Sequence, residues 1–161
     1  MEVQSTGRLL IGDIVNRNSC TIRLGATMKQ AAKLVSESQA SDLVVVDSEN
    51  TFIGTLSEGD LIRAVVPNMD ELLNTHEGSL AKAYEVFLGF SDPARGSEPI
   101  DRHIIRQPIT LHPQDELLKA AIVMVTRQIR RLPVVDQGKF LGTVSRADIC
   151  SAILDRLPTQ R

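Results

Sequence analysis

One phrase of about two dozen residues occurs twice in this chain. LVVVDSENTFIGTLSEGDLIRAV runs from 43 to 65, and RLPVVDQGKFLGTVSRADICSAIL from 131 to 154. A shift of 89 positions also lays Arg17 on Arg106, Thr21 on Thr110, Ala31 and Ala32 on Ala120 and Ala121, and Gln39 on Gln128. One residue is then lost in a turn. At a shift of 88, Phe52, Gly54, Ser57 and Asp60 fall on Phe140, Gly142, Ser145 and Asp148. A duplication of this extent restricts the fold more than composition does, because both copies must satisfy one pattern of packing.

Each copy reads in the order β-α-β-β-α over about 50 residues, an α/β (α+β) unit. A short extended piece, SCTIR or PITLH, leads into a helix. There Met28, Ala31, Ala32 and Val35, and again Leu117, Ala120, Ala121 and Met124, recur at i, i+3, i+4, i+7 and mark one apolar face. LVVVD and LPVVD follow as buried strands rich in β-branched residues. A turn, a second strand (FIGTL, FLGTV) and a last helix (EGDLIRAVV, RADICSAIL) complete the copy. Pro133 fits only near a strand's start or at its edge. One copy alone leaves a face of its small sheet uncovered, so two copies are expected to pack as one pseudo-twofold body. The expected boundaries are a tail at 1–10, a first repeat at 11–66, a helical insert at 67–100, a second repeat at 101–155 and a tail at 156–161. In the insert Leu72, Leu73, Leu80, Tyr84, Phe87, Leu88 and Phe90 stand at helical spacings. They predict one or two helices covering the core or a partner subunit, with a true loop only across SDPARGSEP.

Both copies end a strand with glycine, two residues and serine: GTLSEGD and GTVSRAD. Ser57 and Ser145 are good N-caps, and Asp60 and Asp148 at N3 favour the positive end of a helix. The same residues suit a nucleotide. A helix start offers free N–H groups to a phosphate, the hydroxyl can donate to it, and a carboxylate one turn on can accept from vicinal ribose hydroxyls. Gly54 and Gly142 leave room for a flat group. Capping and binding both remain open at this point. The copies differ in charge: Arg130 and Arg131 stand where the first copy has Ser41 and Asp42, and Arg146 where it has Glu58. Arginine attracts phosphate and a carboxylate repels it, so the second copy is the expected phosphate side. Against this, Arg130 and Arg131 also read as solvated surface charges. Arg63 reads as a helix-surface residue.

With those residues in view, the chain resembles tandem cystathionine-β-synthase (CBS) domain proteins, or Bateman modules, over nearly its whole length. The resemblance implies a CBS-domain pair that senses an adenosine-containing ligand (AMP, ADP or ATP, with S-adenosylmethionine or an NAD-type ligand as alternatives) in clefts between repeats. It implies ribose-binding roles for Asp60 and Asp148, phosphate contacts from Ser57 and Ser145, and cleft-lining threonines at Thr21 and Thr110. Arg131 stands where a basic residue often reaches phosphate, with Arg130 and Arg146 beside it. The family's crossed arrangement pairs Asp148 with Thr21 and Asp60 with Thr110. A flat homodimer is implied as well, with Glu58 to Val66 and Ala147 to Leu154 as contact helices, and a regulated protein as a possible partner.

Other classes find little support. A formal net charge of -2 gives no reason to expect nucleic acid or an anionic membrane, and no apolar run reaches membrane-spanning length. Cys20 and Cys150 make no disulfide framework and are read as buried or half-buried thiols of a cytoplasmic protein. His76, His103 and His112 lack metal-ligand spacing, and no phosphate-binding loop or nucleophile motif occurs. No catalytic residue, catalytic cofactor or metal is expected. A non-catalytic interaction module with degenerate clefts is the competing reading.

Overall fold

The computed structural model describes residues 8–65 and 93–155. The chain divides into two compact units. Residues 20–48 and 53–106 form one, called here the Asp60 unit; residues 1–19, 49–52 and 107–161 form the other, the Asp148 unit.

In the Asp60 unit β1 (Thr21–Arg23) runs parallel to β2 (Asp42–Val46), with Thr21 opposite Val44, and β2 lies between β1 and β3 (Phe52–Ser57). Leu43 to Val46 are buried without a break, as expected of a central strand covered on both faces. Helix α1 (Met28–Ser38) starts on a reciprocal cap, in which the Thr27 hydroxyl accepts from the Gln30 N–H and the Gln30 side chain accepts from the Thr27 N–H. Its buried stripe runs through Met28 and Ala31 to half-buried Leu34 and Val35. Ala32, expected on the apolar face, is exposed at the stripe's edge. Helix α2 (Glu58–Val65) follows β3 directly. The anticipated loop across SDPARGSEP contains a one-turn helix, α3 (Pro93–Gly96), which proline suits because the first helical position needs no N–H. The helices expected around Leu72 to Phe90 lie outside the described residues.

The Asp148 unit contains α4 (Leu117–Thr126), β4 (Arg131–Asp136), β5 (Lys139–Ser145) and α5 (Arg146–Leu154). β4 and β5 pair antiparallel from Arg131↔Ser145 to Asp136↔Lys139, with a bulge between Val134 and Val135. The leading piece PITLH contributes only a single parallel bridge, Leu111 to Val134. The reason is two prolines. In the first copy the Val44 N–H donates to the Cys20 carbonyl and continues the ladder; its counterpart is Pro133, which has no N–H to offer. At the other end the Leu24 N–H donates to the Val46 carbonyl, and its counterpart is Pro113, which also lacks an N–H; between the two prolines Leu111 still donates to the Pro133 carbonyl and accepts from the Val135 N–H, which leaves one bridge.

Each unit is completed by the segment leading into the opposite copy. The Asn16 and Thr143 backbones exchange both hydrogen bonds at 2.9 Å, and Ile105 and Thr55 do the same at 2.9 and 3.0 Å. The crossings are tight enough to demand glycine one residue earlier on the strand. A Cβ on Gly142 would lie inside contact distance of the Asn16 carbonyl oxygen and 2.8 Å from the Val15 side chain. One on Gly54 would collide with the Ile105 carbonyl oxygen and lie 2.7 Å from Ile104. Separate cores fill the units: Leu43, Val45, Leu56 and Ile100 in one, Ile11, Met124, Val134 and Val144 in the other. Cys20 is half-buried, while Cys150 is exposed on α5, against the reading of both as covered thiols. Its neighbour Ile149 takes the inward position instead.

Gly142→Ala and Gly54→Ala are each expected to cost about 3 kcal/mol, because a backbone carbonyl cannot move aside as a side chain can. Urea unfolding measures this; a loss below about 0.5 kcal/mol would show that the crossings are loose.

Candidate functional site

The strand ends put the two serines at helix starts. From the Thr143 bridge, β5 runs two residues on to Ser145, which caps α5. The Ser145 hydroxyl accepts from the Asp148 N–H at 3.1 Å, and Asp148 Oδ2 accepts from the Ser145 N–H and hydroxyl, both at 2.7 Å. At α2 the Ser57 hydroxyl accepts from the Asp60 N–H at 3.1 Å, and Asp60 Oδ2 accepts from the Ser57 N–H at 2.9 Å and its hydroxyl at 2.6 Å. The capping reading is therefore correct for both pairs, with aspartate filling the place a glutamate usually takes.

What the caps leave over differs. Each uses one carboxylate oxygen. Asp60 Oδ1 accepts from the Arg63 guanidinium. Burial pushes the Asp60 carboxyl up, but the Ser57 hydroxyl and N–H, and then Arg63, outweigh it and hold the group below the ordinary carboxylate value. Asp148 Oδ1 takes no protein partner among the described residues. No buried side-chain oxygen among them lacks a partner, so this atom is open to solvent.

Charge differs as well. Arg131 is paired with Ser145 across the β4–β5 ladder, and the Arg146 N–H donates to the Arg130 carbonyl at 3.0 Å. Three exposed arginines thus flank the Ser145 helix start. In the Asp60 unit the equivalent bond runs from the Glu58 N–H to the Ser41 carbonyl, and the Ser41 hydroxyl donates to Asp42. Two carboxylates, Asp42 and Glu58, stand where the arginines do.

Thr21 and Thr110 are both exposed. Thr21 shares a unit with Ser57 and Asp60, and Thr110 shares one with Ser145 and Asp148, so each crossed pairing joins residues of different units. His112 Nε2 lies 2.8 Å from Asp136 Oδ1. Among the described residues no cluster of three or more His, Cys, Asp or Glu could hold a metal, and no helix is long and apolar enough to cross a membrane. Sequence reading missed Arg63 as a partner of Asp60, although its i+3 spacing on a helix was visible.

Comparisons with known proteins identify the family and the fold. The CBS domain profile matches residues 11–67 and 101–155. Protein MJ1225 of Methanocaldococcus jannaschii is 26% identical over 138 residues, covering 86% of this chain and 40% of the relative, so the chain spans less than half of that relative's length. Among solved structures, CBSX2 in complex with AMP aligns with a TM-score of 0.66 at 23% identity, covering 91% of this chain and 96% of that one. The CBS domain pair of protein MJ0100, in complex with 5′-methylthioadenosine and S-adenosyl-L-methionine, aligns at 0.61 and 22% identity, covering 93% and 99%. At such identities the solved structures establish the fold alone.

Proposed function

Because this chain belongs to the CBS domain family, we propose that it is a non-catalytic regulatory module that binds an adenosine-containing ligand and passes the event to a partner protein or to its own assembly. The carrying observation is the open Oδ1 of Asp148 beside an arginine-flanked helix start. A carboxylate oxygen with no protein partner can accept from a ribose hydroxyl while its twin keeps the cap. Ser145, the α5 N–H groups, Arg130, Arg131 and Arg146 supply donors and positive charge for phosphate. That combination favours AMP, ADP or ATP over S-adenosylmethionine, whose sulfonium gains nothing from arginines; an NAD-type ligand shares the same ribose and phosphate groups. Thr21 and Thr110 are proposed as further lining residues, and Ser57 with Asp60 as the disfavoured position of the other unit. A cytoplasmic setting suits such a ligand.

A complete cap also favours a second reading, in which both Ser–Asp pairs serve the helices alone. Asp148→Asn separates the two. Asparagine keeps an acceptor for the Ser145 N–H but loses the charge and the outer acceptor, so the cap stays and ribose binding weakens. Calorimetric titration of the ligand-stripped protein with AMP is expected to show binding that weakens by about two orders of magnitude in the variant. Identical titrations, or no heat in either protein, would leave the pairs as caps only.

Assembly is proposed to be a homodimer through the Asp148 unit. Leu118, Ile122 and Val125 recur along one exposed face of α4, and Ile153 and Leu154 stand exposed on α5. A groove of about 270 Å³ between them is lined by Ala121, Val125, Ile149, Cys150, Ile153 and Leu154 together with Arg146. Five large apolar side chains gathered in one patch are more than isolated surface residues explain. Val125→Asp is expected to shift sedimentation from dimer to monomer. A wild-type protein that sediments as a monomer at tens of micromolar would remove this part.

A further inference from the structure

The two helix starts share a cap and differ at the atom that would read a ribose. Asp60 Oδ1 lies 2.5 Å from an Arg63 guanidinium nitrogen. That guanidinium folds back over the first turn of α2, with its two terminal nitrogens 3.5 and 3.7 Å from where a Cβ on Gly59 would stand. In the other copy Gly59 becomes Ala147 and Arg63 becomes Ser151. Ser151 turns along its helix to Asp155 at 3.5 Å, away from Asp148. One carboxylate is therefore filled by its own helix and the other is not.

We propose that Arg63 is a selectivity residue that closes the Asp60 position to nucleosides, so that each chain takes one nucleoside, at Asp148. This rests on the reading that the aspartates accept ribose hydroxyls. A ribose hydroxyl is a neutral donor, whereas the guanidinium is a charged one already in place, and a hydrogen bond to a charged partner is the stronger. Most exposed ion pairs contribute little, but only one end of this pair is exposed. The Asp60 side chain is 13% exposed and Arg63 70%, so the arginine can swing into solvent only by leaving a largely covered carboxylate without a counter-charge. The direction of the Asp60 ionisation agrees, since Arg63 is among the groups that outweigh burial and hold the carboxyl low. The acidic Asp42 and Glu58 disfavour phosphate at this helix start. Arg63 disfavours the sugar itself, so even an unphosphorylated nucleoside is refused.

Arg63→Ser, which copies Ser151, opens the site. Adenosine is the suitable probe, having the ribose and no phosphate for other arginines to attract. Titrated by calorimetry, the wild type is expected to take one adenosine per chain and Arg63→Ser two. Against Asp148→Asn alone, the double variant Arg63→Ser/Asp148→Asn is expected to bind adenosine about tenfold more tightly, the gain from one freed charged acceptor. Equal stoichiometry and affinity with and without Arg63 would overturn the inference. So would weaker binding in Arg63→Ser, which would make the arginine a ligand contact. The reading beneath it fails separately: wild type and Asp148→Asn would then bind adenosine alike, and the claim of one nucleoside at Asp148 would fall whatever Arg63→Ser shows. Adenosine refused by all four proteins would overturn both.

Discussion

Two backbone crossings at glycine fix where everything else in this molecule can be. At Gly142 and Gly54 a leading segment passes so near a strand that no side chain fits, and one residue later the two segments exchange both peptide hydrogen bonds. The bridge residues, Thr143 and Thr55, are thereby pinned. Two residues beyond each bridge stands the serine that ends the strand and caps the next helix. The spacing from glycine to serine is thus a measured length of pinned strand, and it delivers a hydroxyl, a helix start and a carboxylate as one rigid group. Slipping the strand by one residue would turn Ser145 to the opposite face, which is why the glycine and the serine belong to one pattern.

From that shared scaffold the copies diverge through a few side chains. Arginines gather at the Ser145 end, carboxylates at the Ser57 end. The outer oxygen of Asp148 is open, and that of Asp60 is held by Arg63. Both differences act in the same direction, one on phosphate and one on sugar. On the proposed reading, a duplicated unit with one copy shut by its own residues takes a single ligand per chain and keeps the second copy as structure. The helix caps make this divergence inexpensive, because each Ser–Asp pair stabilises its helix whether or not a ligand arrives.

Much of this could be read from sequence because duplication gives an internal comparison. Matching Gly54 to Gly142 and Ser57 to Ser145 fixed the element order and located both caps. Ala32 reads in sequence as part of the buried stripe because an alanine at i+4 looks the same at the stripe's centre and at its rim. The leading strand of the second copy shrank to one bridge because Pro133 and Pro113 lack the donors that Val44 and Leu24 supply in the first, and the partners lie on a distant segment, which no local pattern reports. The one-turn helix at Pro93–Gly96 was hidden by a composition of proline and glycine that loops share. Arg63 was legible in spacing, but its bond to Asp60 depends on a guanidinium folding back over Gly59, and single-sequence periodicity carries no rotamers.

The central claim is that Asp148 reads a ribose with the oxygen its cap leaves free. Carboxyl-detected NMR with selective assignment of the aspartate side chains tests it most directly, by adding AMP to the ligand-stripped protein. The account predicts a saturable shift of the Asp148 carboxyl signal with the Asp60 signal unmoved. A titration that saturates elsewhere while the Asp148 signal stays in place, or that moves no resonance at all, would contradict it.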